Sequence, residues 1–233
     1  MCGRNSLFVP REQLEARFDA ELVADGGYEP RYNVAPGDGL EVITAEAPDE
    51  IHRYRWGIVP PWSDHSGRGD VLVNARSGTV AEKRVFRDAW ESRPCLVLSS
   101  GFYEWQSTAG GSKQPYRVYR DGDVAFAMAG LWDAPDETSD KTVESGPRVT
   151  ILTTGANQLM EPIHDRMPVV LPTEIESKWL DAGPAAREEL CRPYPGDDLD
   201  AYEISTRVND PGNDDERVIE PLEHEQSGLG EFS

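Results

Sequence analysis

Cys95-Leu96-Val97-Leu98-Ser99-Ser100-Gly101 is an apolar run closed by a glycine, and Phe102-Tyr103-Glu104-Trp105 follows at once. The apolar part has the length of a buried strand, from Leu96 to Ser99, that ends at Gly101. Upstream, Leu40 to Thr44 and Ile51 to Trp56 alternate well enough to be strands, with a hairpin as their simplest pairing. Val71 to Asn74 is a short strand. Downstream lie Tyr116 to Tyr119, Val124 to Trp132, Val149 to Thr153 and, last, Ala201 to Thr206. Helical patterns are few. Pro10 to Ala24 places Leu14, Phe18 and Leu22 on one face and stops at Gly26-Gly27. Thr79 to Glu91 is a helical region. Thr173 to Leu180 has Thr173 and Glu176 at capping-box spacing, and Pro184 to Leu190 is short. About eight strands with so few helices between them predict an α+β fold. We expect one domain, residues 1–222, with a largely antiparallel, barrel-like β core flanked by a few short helices.

The connecting stretches are polar. Pro30 to Asp38 reads as a loop. Trp56-Gly57-Ile58-Val59-Pro60-Pro61-Trp62 leaves the sheet, because prolines do not sit in a central strand. Ser63 to Asp70 is a Gly-rich loop, Pro135 to Pro147 an acidic surface loop, and residues 223–233 a flexible acidic tail. No apolar run is long enough to span a bilayer and no signal-peptide pattern is present, so the expected location is the cytoplasm. The chain has 3 cysteines, an odd count that argues against a disulfide framework, and no spacing that suggests zinc. Cys95 reads as a small buried hydrophobe. Net charge is −20, and the 23 basic residues are almost all arginine. Loss of lysine on that scale reads as a surface adapted to molar salt, and hence a salt-loving source.

The start, Met1-Cys2-Gly3-Arg4, bears on chemistry. Removal of Met1 leaves Cys2 with a free α-amine beside its thiol. That 1,2-aminothiol condenses with an aldehyde to an imine and then closes to a thiazolidine. Glu104 lies in an aromatic run, where a carboxyl is pushed toward a general acid or base role. The competing reading is a surface glutamate at a strand end. His164, in Glu161-Pro162-Ile163-His164-Asp165-Arg166, has polar neighbours and is not a core histidine. His52, His65 and His224 lack companions that suggest a role. Asn74 at a strand end can orient a substrate oxygen. Arg4, Arg76 and Arg166 each sit within two residues of one of these groups and together suggest a phosphate track. Ordinary surface ion pairing competes with that reading. Trp56, Trp62 and Phe102 can stack on bases or belong to the core.

Taken in order, MCGR, RYNVAPGD, WGIVPPW, the NAR stretch with its AEK, GFYEW and HDRMP resemble the SRAP (SOS-response-associated peptidase) family. The resemblance covers Cys2 to about Leu222. It implies the SRAP fold and a protein that senses abasic sites in single-stranded DNA and shields them by covalent linkage. Within it, Cys2 corresponds to the nucleophile, Glu104 to the assisting acid, His164 to the histidine and Asn74 to the asparagine. Arg4, Asn33, Trp56, Trp62, Arg76, Phe102 and Arg166 correspond to DNA contacts. Removal of Met1 by an associated autopeptidase activity and a lyase activity are implied as well. No metal or other cofactor is implied, and the expected state is a monomer. The acidic loop and the net charge depart from the family pattern. Two rivals stand beside this reading. One is a peptidase that only releases its own N-terminus. The other is a noncatalytic reader of modified or single-stranded DNA.

Overall fold

In a computed structural model, residues 2–23, 27–60, 62–63, 71–134 and 146–223 are described. The chain order is β1 (Asn5–Leu7), α1 (Arg11–Phe18), β2 (Glu21–Leu22), β3 (Arg31–Val34), β4 (Gly39–Thr44), β5 (Glu50–Trp56) and β6 (Asn74–Arg76). It continues through α2 (Arg87–Ser92), β7 (Pro94–Ser99), β8 (Gly101–Ser107), β9 (Lys113–Arg120), β10 (Phe126–Asp133) and β11 (Arg148–Gly155). Last come β12 (Arg166–Pro168), β13 (Val170–Leu171), α3 (Glu176–Asp181), α4 (Pro184–Leu190) and β14 (Leu199–Glu203).

These strands form a sheet of five, in the order β14-β9-β8-β1-β3, and a larger mixed sheet. In the larger sheet β4, β7, β10 and β11 pair in sequence, and β11 returns to β5 in parallel. Because β4 also pairs β5, the path closes on itself. A closed path leaves few unpaired edges, which is how a barrel stays soluble. Alternate side chains of β7 and β10 go to different clusters, as the pleat requires. Leu96, Leu98, Ala127 and Ala129 join Leu14, Trp90 and Trp179 from the helices. Cys95, Val97, Phe126 and Met128 join Val34, Phe102 and Val118 from the smaller sheet. The larger sheet is therefore covered by helices on one face and by the smaller sheet on the other. This is the expected α+β fold with a barrel-like core.

Local expectations fail in instructive places. The first helix stops at Phe18, where Asp19 turns left-handed at φ 49°, and Leu22 is buried as part of a strand instead. Arg31–Val34 is a strand within the expected polar loop, held by pairing with β1. The helical region after Asn74 is mostly turns, with a regular helix only at Arg87–Ser92. Thr173 and Glu176 form no capping box. Both accept hydrogen bonds from Arg17, Glu176 at 2.6 Å, and α3 starts only at Glu176. The run from Phe102 to Ser107 is itself a strand. The residues His65 and His224, the acidic loop from 135 to 145 and the tail from 224 lie outside the described residues. Among the described residues, no helix is long and apolar enough to cross a membrane.

Candidate functional site

Three strands and one loop build the site. β1 lies antiparallel to β8, with Asn5 opposite Phe102 and the Tyr103 N–H donating to the Arg4 carbonyl at 3.1 Å. The chain start thus runs alongside the strand that carries Glu104. Side chains alternate along β8. Tyr103 packs with Ile204, Val208 and Val218 on one face, while Phe102 joins the cluster that contains Cys2 on the other. Glu104 lies on the Cys2 side. From the larger sheet, β6 runs parallel to β11, with Asn74 opposite Ile151 and Arg76 opposite Thr153. The loop before β12 supplies His164, with Met160 and Ile163 anchoring it in the Cys2 cluster.

Cys2 is fully buried. Its thiol donates weakly to the Arg4 carbonyl at 3.8 Å. Burial pushes the thiol pKa well up, and the Glu104 charge adds to the shift. A thiol in this state is a reservoir of protonated sulfur, so any bond-forming step needs a base. The Asn74 amide donates to the Cys2 carbonyl at 2.7 Å. Its other atom, Oδ1, is buried with no hydrogen-bond partner among the described residues. Such an oxygen is costly unless a ligand group meets it.

Glu104 is 1 % exposed, and burial raises its pKa, against the opposing charge of nearby His164. The two are therefore electrostatic neighbours, and Cys2 is a third. On His164, Nδ1 accepts the Arg166 N–H at 3.0 Å, which assigns the neutral ring's proton to Nε2. Asp165 Oδ1 stands 2.9 Å from the same nitrogen, but that side chain is 87 % exposed and becomes an ion-pair partner only when the ring is protonated. Arg166 donates to the Thr153 carbonyl at 2.6 Å and hydroxyl at 2.8 Å. Its pKa is lowered by burial and next by the like charge of Arg76. Arg76 stands opposite Thr153, the residue that binds Arg166, so both arginines flank one point of β11, where an anion would be favoured.

The remaining expected DNA contacts divide. Arg4 donates to Asn33 Oδ1 at 2.7 Å and to the carbonyls of Val208 and Asn209. Asn33 is fully buried, and its amide donates to the carbonyls of Val208, Asp210 and Asn213. Together they clamp the segment 206–218, which is also held by the Trp105 indole on Asn209 and by the Tyr32 and Asn33 N–H groups on Asp214. Asn33 therefore presents no polar atom to a ligand. Trp56 and Phe102 are 0 % exposed and belong to the core, so neither has a face for a base. The Trp56 indole also donates inward, to the Val73 carbonyl. Trp62, at 62 % exposed, has a free face. Sequence reading missed Thr153, which fixes Arg166, and the 206–218 segment, whose residues carry no motif. Among the described residues no group of His, Cys, Asp and Glu could hold a metal ion.

A family model described as SOS response associated peptidase (SRAP) matches residues 1–211. The chain is 37% identical to the abasic site processing protein YoqW of Bacillus subtilis, over 94% of this chain and 99% of that one. It is 30% identical to YedK of Escherichia coli, also named an abasic site processing protein, over 95% of this chain and 100% of that one. A crystal structure of a protein from Bacteroides thetaiotaomicron superposes with a TM-score of 0.81 at 27% identity, covering 95% of this chain and 100% of that one. With a family model over residues 1–211 and relatives matched along nearly their whole length, this chain belongs to the SRAP family.

Proposed function

We propose that this protein recognises abasic sites in single-stranded DNA and shields them through a covalent thiazolidine at Cys2. One observation carries the reading: Asn74 holds the Cys2 carbonyl at 2.7 Å inside a site where a buried, raised-pKa Glu104 neighbours His164. A structural cysteine needs none of those groups around it. The names of the relatives support the same lesion.

In this reading Met1 is removed, by the chain itself or by an aminopeptidase, and the α-amine of Cys2 becomes the first nucleophile. The abasic sugar is mostly a closed hemiacetal. Glu104, whose carboxyl burial pushes toward the protonated form, gives a proton to the ring oxygen and takes the C1′ hydroxyl proton in return, so the C1′–O4′ bond breaks and the aldehyde opens. The amine, with an ordinary pKa near ~8, adds to C1′. Loss of one water gives an imine, with His164 managing the proton on the leaving oxygen. The thiol then adds to the imine carbon. A C–S bond forms, the thiol proton passes through Glu104 to nitrogen, and the ring closes without any change of oxidation state. Because burial holds the thiol protonated, this last proton transfer is required. Proximity of both nucleophiles to one carbon supplies much of the rate. Arg76 and Arg166 hold the flanking phosphates, and Trp62 stacks on a base beside the lesion. The same site gives a lyase activity, and the protein acts as a cytoplasmic monomer.

The test is denaturing electrophoresis after mixing the protein with single-stranded DNA that carries one abasic site. A shifted band that survives denaturant is expected from the wild type, and none from Cys2→Ala. Intact-mass measurement should give a chain beginning at Cys2. Release of Met1 without a DNA adduct would leave only the peptidase rival standing. Binding without a covalent band would favour the noncatalytic reader.

A further inference from the structure

We propose that Gln106 is a positioning residue that sets the spacing between Glu104 and His164, a role that rests on the function just proposed. Gln106 stands two places beyond Glu104 on β8, so both side chains leave the same face of the strand. Its Nε2 donates to the Pro162 carbonyl at 2.7 Å. Pro162 is two residues before His164 in the same turn, where the Ile163 and His164 N–H groups both donate to the Met160 carbonyl at 2.8 Å. The Gln106 bond therefore ties the acid's strand directly to the turn that carries the histidine.

The amide is oriented by Pro162 alone: its oxygen lies 3.4 Å from the Tyr116 hydroxyl, whose one proton goes to Glu203 at 2.7 Å. Tyr116 lies directly across from Glu104 in the β8–β9 register. Since a carbonyl can only accept, the nitrogen of Gln106 must face Pro162, and no flipped amide satisfies the contact. Met160 and Ile163 hold the turn in the core, but apolar packing fixes depth better than lateral position. A directional bond from the neighbouring strand fixes the latter.

Two substitutions separate the donor from the shape. In Gln106→Met, the terminal carbon takes the place of Nε2 with no hydrogen to donate. In Gln106→Arg, the guanidinium Nε lies at the same distance along the side chain and restores an N–H. The measurement is the single-turnover rate of adduct formation against protein concentration on abasic single-stranded DNA. Gln106→Met should lower the saturating rate about tenfold, with the half-saturating concentration and melting temperature little changed. Gln106→Arg should recover most of that rate. An unchanged saturating rate in Gln106→Met, or a loss that Gln106→Arg does not recover, would overturn the role. A wild type that forms no adduct would instead count against the crosslinking function, so the two failures are distinct.

Discussion

Glu104 is the residue on which sequence and surroundings pull apart most. A glutamate at the start of an aromatic strand could have faced water, yet it is 1 % exposed beside Cys2 and His164. Two outcomes follow from its raised pKa. Glu104→Gln keeps the shape but moves no proton, so the adduct rate should fall about 10²–10⁴-fold in single-turnover assays while DNA affinity changes little. Stability should move the other way. A carboxyl with a raised folded-state pKa contributes stability below its unfolded pKa, and that contribution is lost as pH rises through the folded value. The amide has no such loss. Melting temperature of Glu104→Gln relative to wild type should therefore increase with pH above the ordinary carboxyl range, and a flat difference would mean that burial does not raise the Glu104 pKa. At Cys2 the same burial acts on a thiol and leaves it dependent on a base.

At the level of elements, the segment 206–218 acts as a strap tied to Arg4, just after Cys2, and to Trp105, just after Glu104 on β8. Asn33 supplies it with bonds to three carbonyls and accepts from Arg4. Asn33→Ala should lower the unfolding free energy by about 2–4 kcal/mol, read from urea melts, because buried carbonyls lose their donors. Nothing in RYNVAPGD foretold this. The motif is polar and reads as a loop, and only its pairing with β1 and the strap makes it a strand. The long apolar strands β7, β10 and β11 were legible because burial on both faces writes continuous hydrophobic runs. The helix expected through Ala24 was overrun by tertiary pairing, as Glu21 and Leu22 join β5. The roles of Cys2, Asn74, Glu104 and His164 were carried by the order of the motifs along the chain, since the neighbours of Glu104 taken alone read equally well as a surface strand end. Trp56 and Phe102 misled, because an aromatic beside a motif reads the same whether it points to a ligand or to the core. Gly57, at φ 118°, shows how tightly the proline-rich stretch is fixed: a Cβ there would come within 2.1 Å of Val71.

For the whole molecule the conflict is between a −20 chain and a polyanionic partner. Arg4 places both terminal nitrogens on Asn33 and the strap, whereas Arg166 meets Thr153 through Nε and Nη2 only, so Arg166 and Arg76 are the two candidates for phosphates. Binding to single strands should then weaken with a log–log salt slope of about −1.4, from about −0.7 per contact. Long-range repulsion by the acidic surface fades over the same range as the Debye length shrinks from about 10 Å to 3 Å. The adduct rate at subsaturating protein should therefore pass through a maximum as potassium chloride rises. A steady fall from the lowest salt, with circular dichroism constant, would exclude repulsion as the limit on capture. The closed strand path has a further consequence. β11 is paired with β10 and then β12 along one edge, and with β5 and then β6 along the other. Opening it breaks four partnerships at once. Its amides should be among the last to exchange with deuterated solvent, doing so only on global unfolding. Asn74, Arg76 and Arg166 all rest on strands hung from β11. The groups that would grip the lesion thus belong to the least yielding unit of the fold, and capture should proceed by docking onto a rigid frame.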